Sequence, residues 1–141
     1  MIQQTTFKIS TSGQGLYEFT KKVEHWVHKQ NQPTALLTLF VQHTSCSLLI
    51  QENADPEVQT DMSAFFMRLV PDSNHPAMSY LTHIYEGPDD MPAHIKAALT
   101  PVSVSIPIIN GRLALGTWQG IYLFEYRDAP HMRSVIGHLS R

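Results

Sequence analysis

The chain has 141 residues, 43% of them apolar and 16% charged, with a formal net charge of -2. That is the balance of one ordinary globular domain, expected to span residues 1–141. No basic stripe points to nucleic acid, no apolar run approaches the roughly 20 residues of a membrane span, and the opening "MIQQTTFKIS" lacks the layout of a signal peptide. Neither nucleic acid nor membrane is therefore expected as a partner. Cys46, the single cysteine, forms no internal disulfide and suggests a reducing, cytoplasmic location. Eight histidines are many for this length, a mild pointer to metal or proton chemistry.

In chain order, "IQQTTFKIS" alternates and predicts a first strand, and "TSGQG" a turn. Leu16, Phe19, Val23, Trp26 and Val27 recur at helical spacing, which predicts a helix from Leu16 to His28. "TALLTLFVQ" and "CSLLIQ" read as two strands meeting near His43 to Ser45. Asp55 suits an N-cap, Pro56 the first helical position and Glu57 the positive end of the helix dipole. Val58, Met62, Phe65, Phe66 and Leu69 continue that helix as an apolar stripe, and Pro71 stops it. "LTHIYEGPDDMPAHIKAAL" reads as a rigid loop and then a short helix, capped by Asp89 or Asp90, with Ile95, Ala98 and Leu99 inward. Three strands follow, "VSVSIPI", "GRLALG" and "GIYLFEYR", the first two joined by the hairpin signal Asn110-Gly111, and "RSVIGHLS" forms the last. The class expected is α+β, a mixed sheet with helices packed on it.

Several side chains suggest chemistry. His83, Glu86 and His94 flank the glycine–proline loop, and two imidazoles with a carboxylate, or three imidazoles, leave zinc an open catalytic position. Their spacing matches no standard zinc motif. His43 read by itself is a partly buried histidine bonded to backbone. Asp55 is a cap as readily as a ligand, whereas Glu52 and Asn53 beside it have no such structural role assigned. Cys46 reads as a small buried hydrophobe rather than a nucleophile. Gly116 and Gly120 bracket Thr117, Trp118 and Gln119, and glycine in a strand suggests a bulge or a close backbone approach. Glu125 interrupts an apolar alternation, so it is solvated on the outer face or held at a site. His25, His28, His75, His131 and His138 read as surface or loop residues.

The blocks "QHTSCSLLIQENADP", "HIYEGPDDMPAHIK" and "GRLALGTWQGIYLFEYR", in this order, resemble the YjbQ-like family over nearly the whole chain. These are small proteins often called secondary thiamine-phosphate synthases. The resemblance implies a YjbQ-like α+β fold assembled as a homotrimer around a polar, metal-binding pocket. It implies His43, His83 and His94 as ligands of a divalent metal, zinc ahead of magnesium because imidazole suits zinc. It places Glu52, Asn53, Glu86 and Gln119 as catalytic residues around that ion, with Glu86 as general base. Asp55, Trp118 and Glu125 are expected to bind the cofactor or substrate, a small phosphorylated metabolite. Two positions depart from the pattern: Gln51 stands where asparagine is frequent, and Tyr126 where histidine is frequent. The activity implied joins a thiazole phosphate to a pyrimidine pyrophosphate. The alternatives are a zinc-dependent hydrolase of a small phosphorylated metabolite, or a metal- or metabolite-binding trimer without turnover.

Overall fold

A computed structural model describes all 141 residues. The elements run β1 (Ile2–Thr11), β2 (Gly15–Glu18), α1 (Thr20–Gln30), β3 (Thr34–Val41), β4 (Cys46–Glu52), α2 (Pro56–Leu69), α3 (Asp90–Leu99), β5 (Ser103–Ile109), β6 (Arg112–Leu113), β7 (Gln119–Glu125) and β8 (His131–Ser140), with a single 3-10 turn at Pro76–Met78. The α+β class holds. Where a single mixed sheet was expected, the strands divide between a five-stranded sheet, β1-β8-β3-β5-β6, and a three-stranded sheet, β2-β7-β4. Every pairing is antiparallel.

The main core lies between the two sheets. Leu37, Leu39, Ile106, Ile108, Val135 and Leu139 of the large sheet meet Cys46, Leu48, Ile121 and Leu123 of the small one, and α1 closes one side with Val23 and Val27. The opposite face of the small sheet carries Phe124 and, just past β7, Tyr126, which pack on Ala93 and Ala97 of α3 and on Phe66 of α2. The small sheet is thus covered on both faces. Strand β7 shows this directly, since every residue from Gly120 to Tyr126 is buried.

Local signals explain several boundaries. Asn110 and Gly111 take φ of 51° and 80°, as a two-residue hairpin turn requires. The Asp55 carboxylate accepts the Glu57 amide at 2.9 Å, with Pro56 in the first turn of α2. Long-range pairing overrides others. The helix predicted from Leu16 begins only at Thr20, because Gly15–Glu18 pairs with Glu125–Tyr122 of β7 as a strand. The inward face of α3 is Ala93, Lys96 and Ala97, whereas Leu99 is 60% exposed. Helix α2 buries no residue fully, and its stripe leaves Phe65 and Leu69 more than half exposed.

Candidate metal centre

The loop before α3 and the first turns of that helix bring three side chains together. Ligand-capable atoms of His83, Asp90 and His94 lie within 4.8 Å of one another. Asp90 opens α3, and His94 stands one turn later on the same face. Asp90 Oδ2 is 3.0 Å from His83 Nε2 and 3.3 Å from His94 Nε2. Glu86 Oε2 is a second carboxylate on His83 Nε2, at 2.9 Å. Gly87 makes the loop geometry feasible: its φ of 102° disfavours any other residue, and a Cβ would sit 3.0 Å from Asp89 Oδ1.

The other His94 nitrogen fixes the chemistry. Nδ1 is 2.9 Å from the Thr44 carbonyl, an acceptor only, so it must donate. In a neutral imidazole Nε2 then carries a lone pair, and that lone pair faces a carboxylate oxygen. His83 Nε2 faces two carboxylates. His94 Nε2 and Asp90 Oδ2 thus face each other as two acceptors, a juxtaposition that a cation between them would relieve. Two imidazoles and a carboxylate are a donor set that zinc takes with an open position, and the two Asp90 distances fall within the about 4 Å that separates atoms sharing an ion at about 2 Å.

Arg127, just beyond β7, braces this set. Its Nε donates to Asp89 Oδ2 at 2.9 Å, its Nη1 to Asp90 Oδ1 at 2.7 Å and its Nη2 to the Glu86 carbonyl at 3.1 Å. Asp90 therefore spends one oxygen on Arg127 and keeps the other for the imidazoles. Burial alone would raise the Asp89 carboxyl, but the Asp128 amide and Arg127 outweigh it and hold it below the usual carboxylate range.

His43, expected as the third ligand, is occupied otherwise. Its Nε2 accepts the Ser134 amide at 2.8 Å, and its Nδ1 stands 3.4 Å from Arg133 Nη1. Partial burial and the Arg133 charge lower its affinity for a proton. The residue read alone as a backbone-bonded histidine is one, and the side chain grouped with His83 and His94 is Asp90. Asp90 escaped the sequence reading because a cap role accounts for an aspartate at a helix start; its i, i+4 relation to His94 was the available signal.

The remaining expected site residues lie elsewhere. Glu125 is fully buried: Arg133 clamps it through Nε and Nη2, Thr11 donates to it, and the Tyr126 and Arg127 amides complete its shell. Burial raises its carboxyl, but these donors prevail and its proton affinity falls below the ordinary value. Glu125, expected to bind cofactor or substrate, is in this chain the buried partner of Arg133. Cys46 and Tyr126 are also buried, with the thiol and phenol each pushed up to about 12 by burial. Tyr126 Oη bonds Ser47 and Thr100.

Glu52, Asn53, Trp118 and Gln119 occupy the far end of the same two strands. The register pairs Cys46 with Glu125 at one end and Glu52 with Gln119 at the other, six residues along β4. At about 3.3 Å per residue, the ends are about 20 Å apart. At the far end Glu18 Oε2 accepts from Asn53 Nδ2 at 3.1 Å and Thr20 Oγ1 at 2.7 Å, and Gln119 Oε1 accepts the Gly116 amide at 2.8 Å. A Cβ on Gly120 would lie 2.6 Å from that Glu18 oxygen, the close approach its glycine suggested. Asp55 acts as a cap, and Trp118 is 63% exposed. Glu18 had no sequence signal, because only the β2–β7 pairing carries it there.

Fold and site together define a class: a small two-sheet α+β domain with a braced cluster of two imidazoles and a carboxylate at a helix start. Comparison with known proteins makes this particular. The model of the family "UPF0047 protein YjbQ-like" matches residues 5–141. A UPF0047 protein of Synechocystis is 51% identical over 97% of this chain and 90% of its own, and the UPF0047 protein YjbQ of Escherichia coli O157:H7 is 39% identical over 99% and 98%. Among solved structures, a conserved hypothetical protein from Thermus thermophilus superposes with TM-score 0.79 at 34% identity, covering 94% of this chain and 97% of that one. A hypothetical protein from Aeropyrum pernix reaches 0.84 at 26% identity, covering 99% and 98%. The chain belongs to the YjbQ-like UPF0047 family. No helix is long and apolar enough to cross a membrane.

Proposed function

We propose that this protein is a metal-dependent enzyme acting on a small phosphorylated metabolite in the cytoplasm, with a divalent ion held by His83, Asp90 and His94. The observation that carries the reading is Asp90 Oδ2 set between two imidazole Nε2 atoms. Two nitrogen donors and a buried carboxylate favour zinc over magnesium. An ion there supplies Lewis acidity toward a phosphoryl oxygen and toward water. Glu86, exposed and 2.9 Å from His83, would take a proton from water as the water oxygen bonds phosphorus and the ester P–O bond breaks, and would return that proton to the departing alkoxide. The products are the alcohol and inorganic phosphate.

This donor set favours hydrolysis over thiamine-phosphate synthesis. The synthase reading rests on family resemblance, and it draws on the oxygen donors of Asp90 and Glu86 to hold a metal diphosphate. Assembly as a homotrimer fits both reactions. Phe65, Leu69, Tyr85 and Trp118 are exposed apolar surface of the kind a neighbour covers. In a head-to-tail ring, the Asn53–Gln119 end of one copy meets the His83–His94 end of the next, so groups about 20 Å apart within a copy share one pocket.

The test is elemental analysis of protein reloaded with zinc, beside light scattering and a turnover screen covering phosphate esters and the thiazole phosphate–pyrimidine pyrophosphate pair. One ion per chain, a trimer and phosphate release support the proposal. Thiamine phosphate as product selects the synthase reading, and bound metal without turnover on any substrate selects a binding protein. No bound metal refutes the centre, and a monomer at micromolar concentration refutes the ring.

A further inference from the structure

A second cleft, of about 710 Å3, opens between α1 and the segment from Gly111 to Gln119, at the end of the small sheet away from His83 and His94. Lys21, Glu24, His25 and His28 line it from α1, at spacings that put them on one side of the helix. Arg112 of β6 lines it from across the gap. None of these five side chains makes a hydrogen bond or an ion pair within the chain, whose ion pairs lie at Glu86, Asp89, Asp90 and Glu125. Among the lining side chains Lys21 and Arg112 are cations and Glu24 an anion, and a second carboxylate, Glu18, lies behind Thr20 and Asn53 and is occupied by them. Its apolar wall is Val27, Leu113 and Leu115.

Free cationic and imidazole donors grouped over an apolar wall are the complement of an anion carried on an apolar body. The donors distinguish among anions. A guanidinium fork, an ammonium and two imidazole N–H groups exceed what the two oxygens of a carboxylate engage, but suit the three terminal oxygens of a phosphate monoester. We propose that this cleft is a binding site for an organic phosphate monoester: the phosphate lies among Arg112, Lys21, His25 and His28, and the apolar portion rests on Leu113 and Leu115. Within one chain the site lies about 20 Å from the His83–His94 cluster; Asn53 and Gln119 also line it, so in the ring proposed above it faces a neighbour's cluster, but the phosphate contacts do not depend on that ring. His25 and His28, which read as plain surface residues in the sequence, become ligand contacts.

The test is a nuclear magnetic resonance titration of the metal-free full-length protein with phenyl phosphate, reading the His25 and His28 ring protons and the Leu113 and Leu115 methyls. Benzoate and inorganic sulfate serve as controls, and a chelator throughout keeps the metal centre out of the readout. Saturable shifts at both sets of reporters, with a dissociation constant on the order of 1 mM or tighter, are expected. Arg112→Ala should weaken binding about tenfold, as should His25→Gln with His28→Gln together. Arg112 is exposed on a hairpin, so its variant should fold, and an unchanged thermal midpoint would confirm it. The proposal is overturned by the absence of saturable shifts, by wild-type affinity in Arg112→Ala, or by benzoate or sulfate binding as tightly as phenyl phosphate.

Discussion

Replacing Asp90 by asparagine isolates the carboxylate on which the proposed metal centre turns. Asparagine keeps the shape, and its carbonyl oxygen can still accept from Arg127 Nη1, now 2.7 Å from Asp90 Oδ1. What is lost is the anionic Oδ2 between the imidazoles, 3.0 and 3.3 Å from them. The cost to the fold should be small. Arg127 retains its bond to Asp89 at 2.9 Å, so what is lost is the charge assistance in one hydrogen bond, about 1–2 kcal/mol. The cost to metal should be large. A changed outer partner alone weakens metal affinity about 10–100-fold, and loss of a direct anionic ligand should cost at least about 100-fold, or about 2.8 kcal/mol. Competition for zinc against a chromophoric chelator measures the affinity, and thermal denaturation with chelator present measures the apo fold. Zinc bound within about threefold of wild type would refute the proposed centre, because Asp90 would then be only a helix-opening partner of Arg127.

Three further outcomes follow from buried or crowded positions. Glu125→Gln should destabilise the protein at neutral pH by about 3–5 kcal/mol, since it leaves the buried Arg133 charge uncompensated. Because folding depresses the Glu125 carboxyl below its ordinary 4.5, its contribution is present above that pH and is lost as pH falls through the folded value. Denaturation series should therefore show the variant and wild type converging below about pH 4.5; a gap independent of pH would contradict the assignment. Gly120→Ala should cost about 1–3 kcal/mol in chemical denaturation and loosen Asn53, because the new methyl meets Glu18 at 2.6 Å; an unchanged midpoint would show that this corner relaxes freely. Cys46, buried and with its thiol pushed up to about 12, should resist iodoacetamide at pH 8 until the protein is unfolded, and fast labelling of the native protein would refute its burial.

Much of the fold was legible where its cause is local. The Asn110-Gly111 turn and the Asp55–Pro56 helix start are written in adjacent residues and occur as read. Strand β2 was not, because four residues carry too little periodicity and only β7 makes them a strand. The stripe of α2 was visible, yet nothing local reveals that one chain leaves Phe65 and Leu69 uncovered. The site divides in the same way. His83, Glu86 and His94 were readable as neighbours across one loop. Asp90 hid behind its place at a helix start, and His43 went to the Ser134 amide, a partner 91 positions away. Register alone sets Glu52 and Asn53 with Gln119 and far from the imidazoles, and register is a property of paired strands rather than of either one.

Strand β7 runs between these two regions with β2 on one edge, β4 on the other, and packed side chains above and below. A strand enclosed in this manner has no low-energy way to bend, because any flexing opens voids on two faces at once. Its amides should be among the last to exchange with deuterium, at the free energy of global unfolding. The cleft beside α1 and the cluster at α3 are in this sense mounted on one stiff rod. Occupancy at one end should pass to the other through the loops, and not along the strand that joins them.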